Sequence, residues 1–204
     1  MENRAVSLGV LISGRGSNLQ AIQAAITLGR LDASIALVIA NRADAAGLVH
    51  ARAAGTETLV LPHGEFASRA AYDKALVAAL AARGVRLVCL AGFVRLLGPA
   101  FCDAFPEAVL NVHPSLLPSF PGLHAQRQAL RHGVKVTGAT VHFVTPELDA
   151  GPIILQAGVP VRDDDDEASL SARILHEEHR IYPEAIQIVA TGRWRTNGRR
   201  IVRT

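Results

Sequence analysis

Cysteine, aromatic residues and long apolar runs are all scarce in this chain of 204 residues, and only 4% of it is aromatic. The two cysteines, Cys89 and Cys102, stand in apolar surroundings, which excludes a disulfide framework and leaves no paired spacing for zinc. No metal is expected, and a reducing compartment is the simplest setting. No apolar run approaches the roughly 20 residues that cross a bilayer. The opening Met-Glu-Asn-Arg lacks a basic leader followed by a long apolar centre and a cleavage site, and it runs at once into a strand-like segment. A cytoplasmic chain with no membrane partner is therefore expected. Charge of one sign is missing too: Lys and Arg number 21 against 18 Asp and Glu, interspersed, for a formal charge of +3. That excludes the dense basic face of a nucleic-acid binder and favours small anionic ligands.

What is present is apolar residues, at 50% of the chain, enough for one substantial core and a single domain over residues 1–204. The first half alternates aliphatic runs with Ala-rich stretches, the pattern of βαβ units that build a parallel sheet covered by helices. Ser7–Ile12, Ser34–Ala40, Glu57–Leu61 and Arg86–Ala91 read as strands. Leu19–Leu28, Ala45–Ala54 and Arg69–Arg83 read as helices, with Gly55 and Gly84 placed as C-terminal caps. Ala108–Val112 is a further apolar run, leading into a proline-rich loop from Pro114 to Gly122. Beyond it, Ala125–Arg131 looks helical, Lys135–Val144 and Ile153–Val161 extended, and Glu167–Ala190 forms the longest helical stretch. Asn197-Gly198 lies between alternating segments as a two-residue hairpin turn. The fold class is α/β, with a mostly parallel central sheet flanked by helices and an antiparallel C-terminal part.

Gly14-Arg15-Gly16-Ser17-Asn18 sits between the first strand and a helix, where backbone N–H groups and the positive end of the helix dipole are open to an anion. Position 19 is Leu19, where the dinucleotide fingerprint has its third glycine, and no Walker Lys-Ser/Thr pair follows. A substrate phosphate suits this loop better than a nicotinamide cofactor or a nucleoside triphosphate. The plainer alternative is a glycine turn in which Ser17 or Asn18 only caps the helix.

Asn111 and His113 flank Val112 at the end of an apolar strand, and side chains two apart on a strand share a face. Open α/β sheets bind ligands at the carboxyl ends of their strands. An amide N–H beside an imidazole suits the donation of hydrogen bonds to a carbonyl oxygen that turns negative in a tetrahedral intermediate. Asp149, in a loop stiffened by Pro146, Gly151 and Pro152, supplies a carboxylate that would keep His113 charged and manage the proton of an attacking amine. With Thr140 these residues read as one acyl-transfer site acting on a small phosphorylated amine. Taken singly, each has an ordinary reading as a turn or cap residue, and spacing alone does not bring Asp149 to His113. A nucleophilic triad is the weaker competitor: Ser115 has no Gly-x-Ser-x-Gly elbow, and Cys89 lies mid-strand. His176 and His179, three apart on a helix, have no evident third ligand and read as surface residues.

The segments Val10–Gln20, Leu90–Leu97, Leu110–Pro118, Pro121–His124 and Gly138–Gln156 closely resemble the folate-dependent formyltransferases, and their glycine loop and Pro-Gly-Leu-His string resemble the glycinamide ribonucleotide branch. The resemblance covers nearly the whole chain and implies a Rossmann-like formyltransferase fold. It also implies transfer of a formyl group from 10-formyltetrahydrofolate, the co-substrate, to the amino group of glycinamide ribonucleotide in purine synthesis. Asn111, His113 and Asp149 match the family's catalytic trio. Arg15, Gly16, Ser17 and Asn18 would hold the substrate phosphate and Glu178 its ribose hydroxyls. Folate would lie across Val94, Arg95, Leu96 and Leu97, Asn111, and the loop from Val144 to Asp149, with Arg69 meeting its glutamate tail. Thr140 and His142 would line the site. Ala150 stands where glycine is frequent, and Gln126 where some relatives have histidine. The partners implied are these small molecules, with no nucleic acid, for a monomer or homodimer. Methionyl-tRNA or sugar formyltransferases and formyltetrahydrofolate deformylases would share the trio but are expected to carry an additional domain. A catalytically silent binding protein would keep the cradle without needing the trio.

Overall fold

The computed structural model describes residues 5–204, so the first four residues of the leader reading lie outside the described residues. Two compact units divide the chain, with Leu110 ending the first and Asn111 opening the second.

In the first unit, β1 (Val6–Ile12), β2 (Ala33–Ala40), β3 (Thr58–Val60) and β4 (Leu87–Leu90) pair in parallel, in the order β3, β2, β1, β4. The inner strands are continuous apolar runs because both faces are covered: Leu8, Val10, Leu11, Ile12, Val38 and Ile39 are fully buried. Crossovers are made by α1 (Ser17–Thr27), α2 (Gly47–Ala53) and α3 (Arg69–Ala81), and α4 (Pro99–Ala104) follows β4. Ser68 caps α3 by accepting the Ala71 N–H. The short helix α4, not expected from the sequence, starts with Pro99 in its first turn; Asp73 accepts the Gly98 N–H at 2.8 Å just before it. Six residues give too little periodicity to be read as a helix.

The strand β5 (Val109–His113) carries the chain across the boundary. In the second unit α5 (Ala125–His132) precedes an antiparallel pair, β6 (Val136–Phe143) and β7 (Ile153–Pro160), followed by α6 (Glu167–Ala190) and the hairpin β8 (Trp194–Asn197) and β9 (Arg200–Arg203). The acidic run before α6 forms its N-terminus. Asp166 and Ser169 make a reciprocal capping box, and Arg173 clasps Asp165, which holds that carboxyl well below the usual carboxylate range. The α/β expectation holds, with the parallel strands in the first unit and the antiparallel part at the C-terminus. The hairpin turn lies one residue further on than expected: Asn197 pairs with Arg200, and the turn is Gly198-Arg199 with φ +60° at Gly198. Glycine takes the first central position because that position alone needs a positive φ.

Candidate active site

Asn111 and His113 end β5, and the residue between them, Val112, is buried on the opposite face. The His113 side chain is 6% exposed, and its Nε2 donates to the Phe120 carbonyl at 2.8 Å. A carbonyl only accepts, so the proton sits on Nε2 and the ring is fixed with Nδ1 facing the Asp149 carboxylate at 3.5 Å. That separation is an ion-pair distance, longer than a good hydrogen bond.

Asp149 is itself anchored. Its Oδ2 accepts the Gly122 N–H at 2.8 Å, and its backbone adopts φ +49°, a left-handed conformation that aspartate tolerates better than most residues. The glycine-and-proline loop thereby returns the carboxylate to the β5 end, a closure that spacing in the sequence did not reveal.

His142 completes the group. It is 2% exposed on β6, and its Nδ1 donates to the Phe143 carbonyl at 2.8 Å. In the neutral ring Nε2 then accepts, and it faces Asn111 Nδ2 at 3.3 Å and Asp149 Oδ1 at 3.6 Å. Burial pushes the His142 pKa below the ordinary value of 6.5, against the opposing pull of the Phe143 carbonyl and the Asp149 charge. A neutral His142 holds one amide hydrogen of Asn111 and so orients the other. His142 thus stands beside Asn111 and Asp149 and orients the Asn111 amide. Thr140 does not turn its hydroxyl towards this cluster, contrary to expectation. It donates to the Ser115 carbonyl at 2.7 Å and accepts from the Leu117 N–H at 3.0 Å.

In the first unit, the glycine loop has the geometry of a cradle. Gly16 is the N-cap of α1 with φ +77°, so Ser17 and Asn18 fall inside the first turn and neither is the N-cap residue. A Cβ on Gly16 would lie 2.6 Å from the Gly47 Cα, so glycine is required both by its φ and by close backbone approach. Arg15 is exposed beside it. A separate pocket of about 490 Å³ in the same unit is lined by Arg69, Val94, Arg95 and Leu96, four residues the family resemblance assigns to folate, together with His63, Phe66 and Tyr72, which carry no such signal in the sequence. Val94 and Leu96 are 58% and 55% exposed, an apolar surface suited to a flat ligand, whereas Leu97 is buried. Phe66 and Tyr72 stack edge-on at 5.2 Å, and Arg95 contacts the His63 ring. Burial raises the Tyr72 hydroxyl to about 12, with Arg95 opposing. The short 3-10 turn His63–Glu65 that delivers His63 carries no periodic signal by which it could have been found.

In the second unit Glu178 lies on the buried side of α6 at 7% exposure, and Val144 opens the loop that ends at Asp149. An amide and an imidazole beside a carboxylate at a strand end suit an enzyme of acyl transfer.

Residues 7–186 match the family described as formyl transferase, and the chain belongs to that family. It is 48% identical over 188 residues to phosphoribosylglycinamide formyltransferase of Escherichia coli (strain K12), a match covering 92% of this chain and 89% of that protein. It is also 47% identical over 191 residues to the trifunctional purine biosynthetic protein adenosine-3 of Homo sapiens, covering 94% of this chain but 19% of that longer protein. Among solved structures, glycinamide ribonucleotide transformylase 1 from Symbiobacterium toebii superposes with a TM-score of 0.97 at 55% identity, covering all of this chain and 95% of the other.

Proposed function

We propose that this enzyme transfers the formyl group of 10-formyltetrahydrofolate to the amino group of 5-phosphoribosylglycinamide, in the purine pathway. The observation that carries the mechanism is the convergence of Asn111, His113, His142 and Asp149 within hydrogen-bond or ion-pair distances on two strand ends and one loop. The neutral amine attacks the formyl carbon, a C–N bond forms, and the carbonyl oxygen becomes an oxyanion. The Asn111 amide and His113 Nδ1–H donate to that oxygen, while the Asp149 carboxylate stabilises positive charge on the His113 ring. Asp149 also organises a water that carries the amine's proton to the folate N10 as the C–N10 bond breaks.

Binding roles follow the chemistry of each unit. The N–H groups of Gly16, Ser17 and Asn18, with Arg15, suit a phosphate, and Glu178 suits ribose hydroxyls. The pocket with Arg69, Arg95 and the Val94–Leu97 segment fits a folate: apolar and aromatic walls for the rings and two guanidinium groups for a carboxylate tail. No metal is assigned a role. The family match runs through both compact units, which supports reading residues 1–204 as one formyltransferase domain, a monomer or homodimer that uses small molecules and no nucleic acid. No helix among the described residues is long and apolar enough to cross a membrane, and a content of only two cysteines, Cys89 and Cys102, suits a cytoplasmic setting.

The test supplies 10-formyltetrahydrofolate and follows tetrahydrofolate release with and without the ribonucleotide amine. Release that requires the amine is expected. Release without it would make the protein a hydrolase, and ribonucleotide binding without turnover would make it a silent binding protein.

A further inference from the structure

Ser115, Thr140 and Gln156 carry no step of the proposed chemistry, yet their side chains form one connected set around the loop that follows His113. Thr140 is fully buried on β6, and its hydroxyl is saturated: it donates to the Ser115 carbonyl and accepts both the Leu117 N–H at 3.0 Å and Gln156 Nε2 at 2.9 Å. Gln156 lies directly opposite Thr140 in the β6–β7 ladder, and its Nε2 also donates to the Leu117 carbonyl at 2.9 Å. Both backbone polar groups of Leu117 are thus held by side chains. Ser115, itself fully buried, donates to the Ser119 carbonyl at 2.5 Å and lies 3.4 Å from the Phe120 carbonyl.

That Phe120 carbonyl is the acceptor that fixes His113 Nε2. Phe120 holds φ +56°, a conformation that a bulky residue keeps only when its surroundings over-determine it. The hydroxyl and amide bonds supply that constraint at Ser115, Leu117, Ser119 and Phe120. Removing one would let the carbonyl shift and the imidazole turn with it, without touching any atom that meets substrate.

We propose that Ser115, Thr140 and Gln156 are positioning residues that set the ring orientation of His113, by holding the backbone from Ser115 to Phe120 so that Nδ1 faces Asp149. The proposal rests on the formyl-transfer reading of this site, and it gives Ser115 a role other than nucleophile.

The full chain is compared with Ser115→Ala, Gln156→Leu and Thr140→Ser, the last keeping the hydroxyl as the conservative control. Misplacing a catalytic group by an ångström can cost about 10²-fold, so kcat of the first two variants is expected to fall by roughly 10- to 100-fold. Their KM values stay near wild type and their kcat–pH profiles are displaced, while Thr140→Ser keeps the wild-type kcat and pH profile. Ring ¹⁵N resonances of His113, recorded without substrate at alkaline pH, report Nε2–H in the wild type and Thr140→Ser and a mixture of tautomers in the other two. Lowered Tm with unchanged kcat, pH profile and ring resonances would mean a merely structural role and overturn the proposal, as would a change confined to KM. Should the wild type fail to release tetrahydrofolate, the formyl-transfer reading falls, and the substrate-free resonances still decide the positioning of His113.

Discussion

Asp149→Asn is the most discriminating single change, because the structure lets nearly everything but the charge survive it. Asparagine tolerates the φ of +49° at this position as aspartate does, and its carbonyl oxygen can still accept the Gly122 N–H. What disappears is a carboxylate 3.5 Å from His113 Nδ1, where the two side chains are 6% and 9% exposed. Two unit charges at that distance attract by about 5 kcal/mol at an effective dielectric constant of roughly 20. At about 1.4 kcal/mol per tenfold, that is a factor on the order of 10³ if the ring is fully charged in the transition state. The value falls within the usual range of about 10²–10⁴ for general acid–base assistance. Steady-state kinetics with both substrates are expected to show kcat reduced by that amount and KM little changed, with a thermal midpoint close to wild type. A variant that folds normally and keeps kcat within about tenfold of wild type would refute the assignment of Asp149, since a buried pair at an effective dielectric constant of roughly 20 is worth far more than tenfold.

Further outcomes follow from other parts of the fold. Replacing His113 by alanine removes the ring donor and is expected to cost about 10²–10³ in kcat, measured under the same conditions. His142 and His179 are both held below 6.5 by burial, so the folded state binds fewer protons than the unfolded chain just below that pH. Their contribution is fully present above 6.5 and is lost as pH falls towards the folded values; urea titrations across that window that show stability rising on acidification would contradict this. Gly16→Ala must place a Cβ against the Gly47 backbone at positive φ and is expected to destabilise by roughly 1–3 kcal/mol in denaturant unfolding while raising KM for the ribonucleotide. Arg95→Ala should raise KM for the folate and spare kcat; loss of kcat alone would remove Arg95 from the folate pocket.

Several elements were legible in the chain because they repeat a local rule. The continuous apolar runs of β1, β2 and β4 announce strands buried on both faces, and the alternation of these with Ala-rich stretches announces βαβ units. Asn111 and His113 were readable as a pair because the strand period places them on one side. The short helix α4, the 3-10 turn at His63 and the offset hairpin turn were not readable, since each is too short for periodicity and is settled by packing or pairing register. Thr140 was placed in the site lining by the family resemblance, since a hydroxyl on a strand offers no local sign of where it points; three partners from two other segments decide that.

The sequence by itself therefore determined the α/β class, the glycine loop that needs no Cβ and the residue types able to perform acyl transfer, all properties of composition, period and local backbone freedom. The tertiary structure alone decided that the Asp149 loop closes on Gly122, that His142 is buried against Asn111 with its pKa pushed down, and that Thr140 and Gln156 hold the His113 loop. These are hydrogen bonds and burials between segments distant along the chain. Their energies depend on positions that no local pattern encodes.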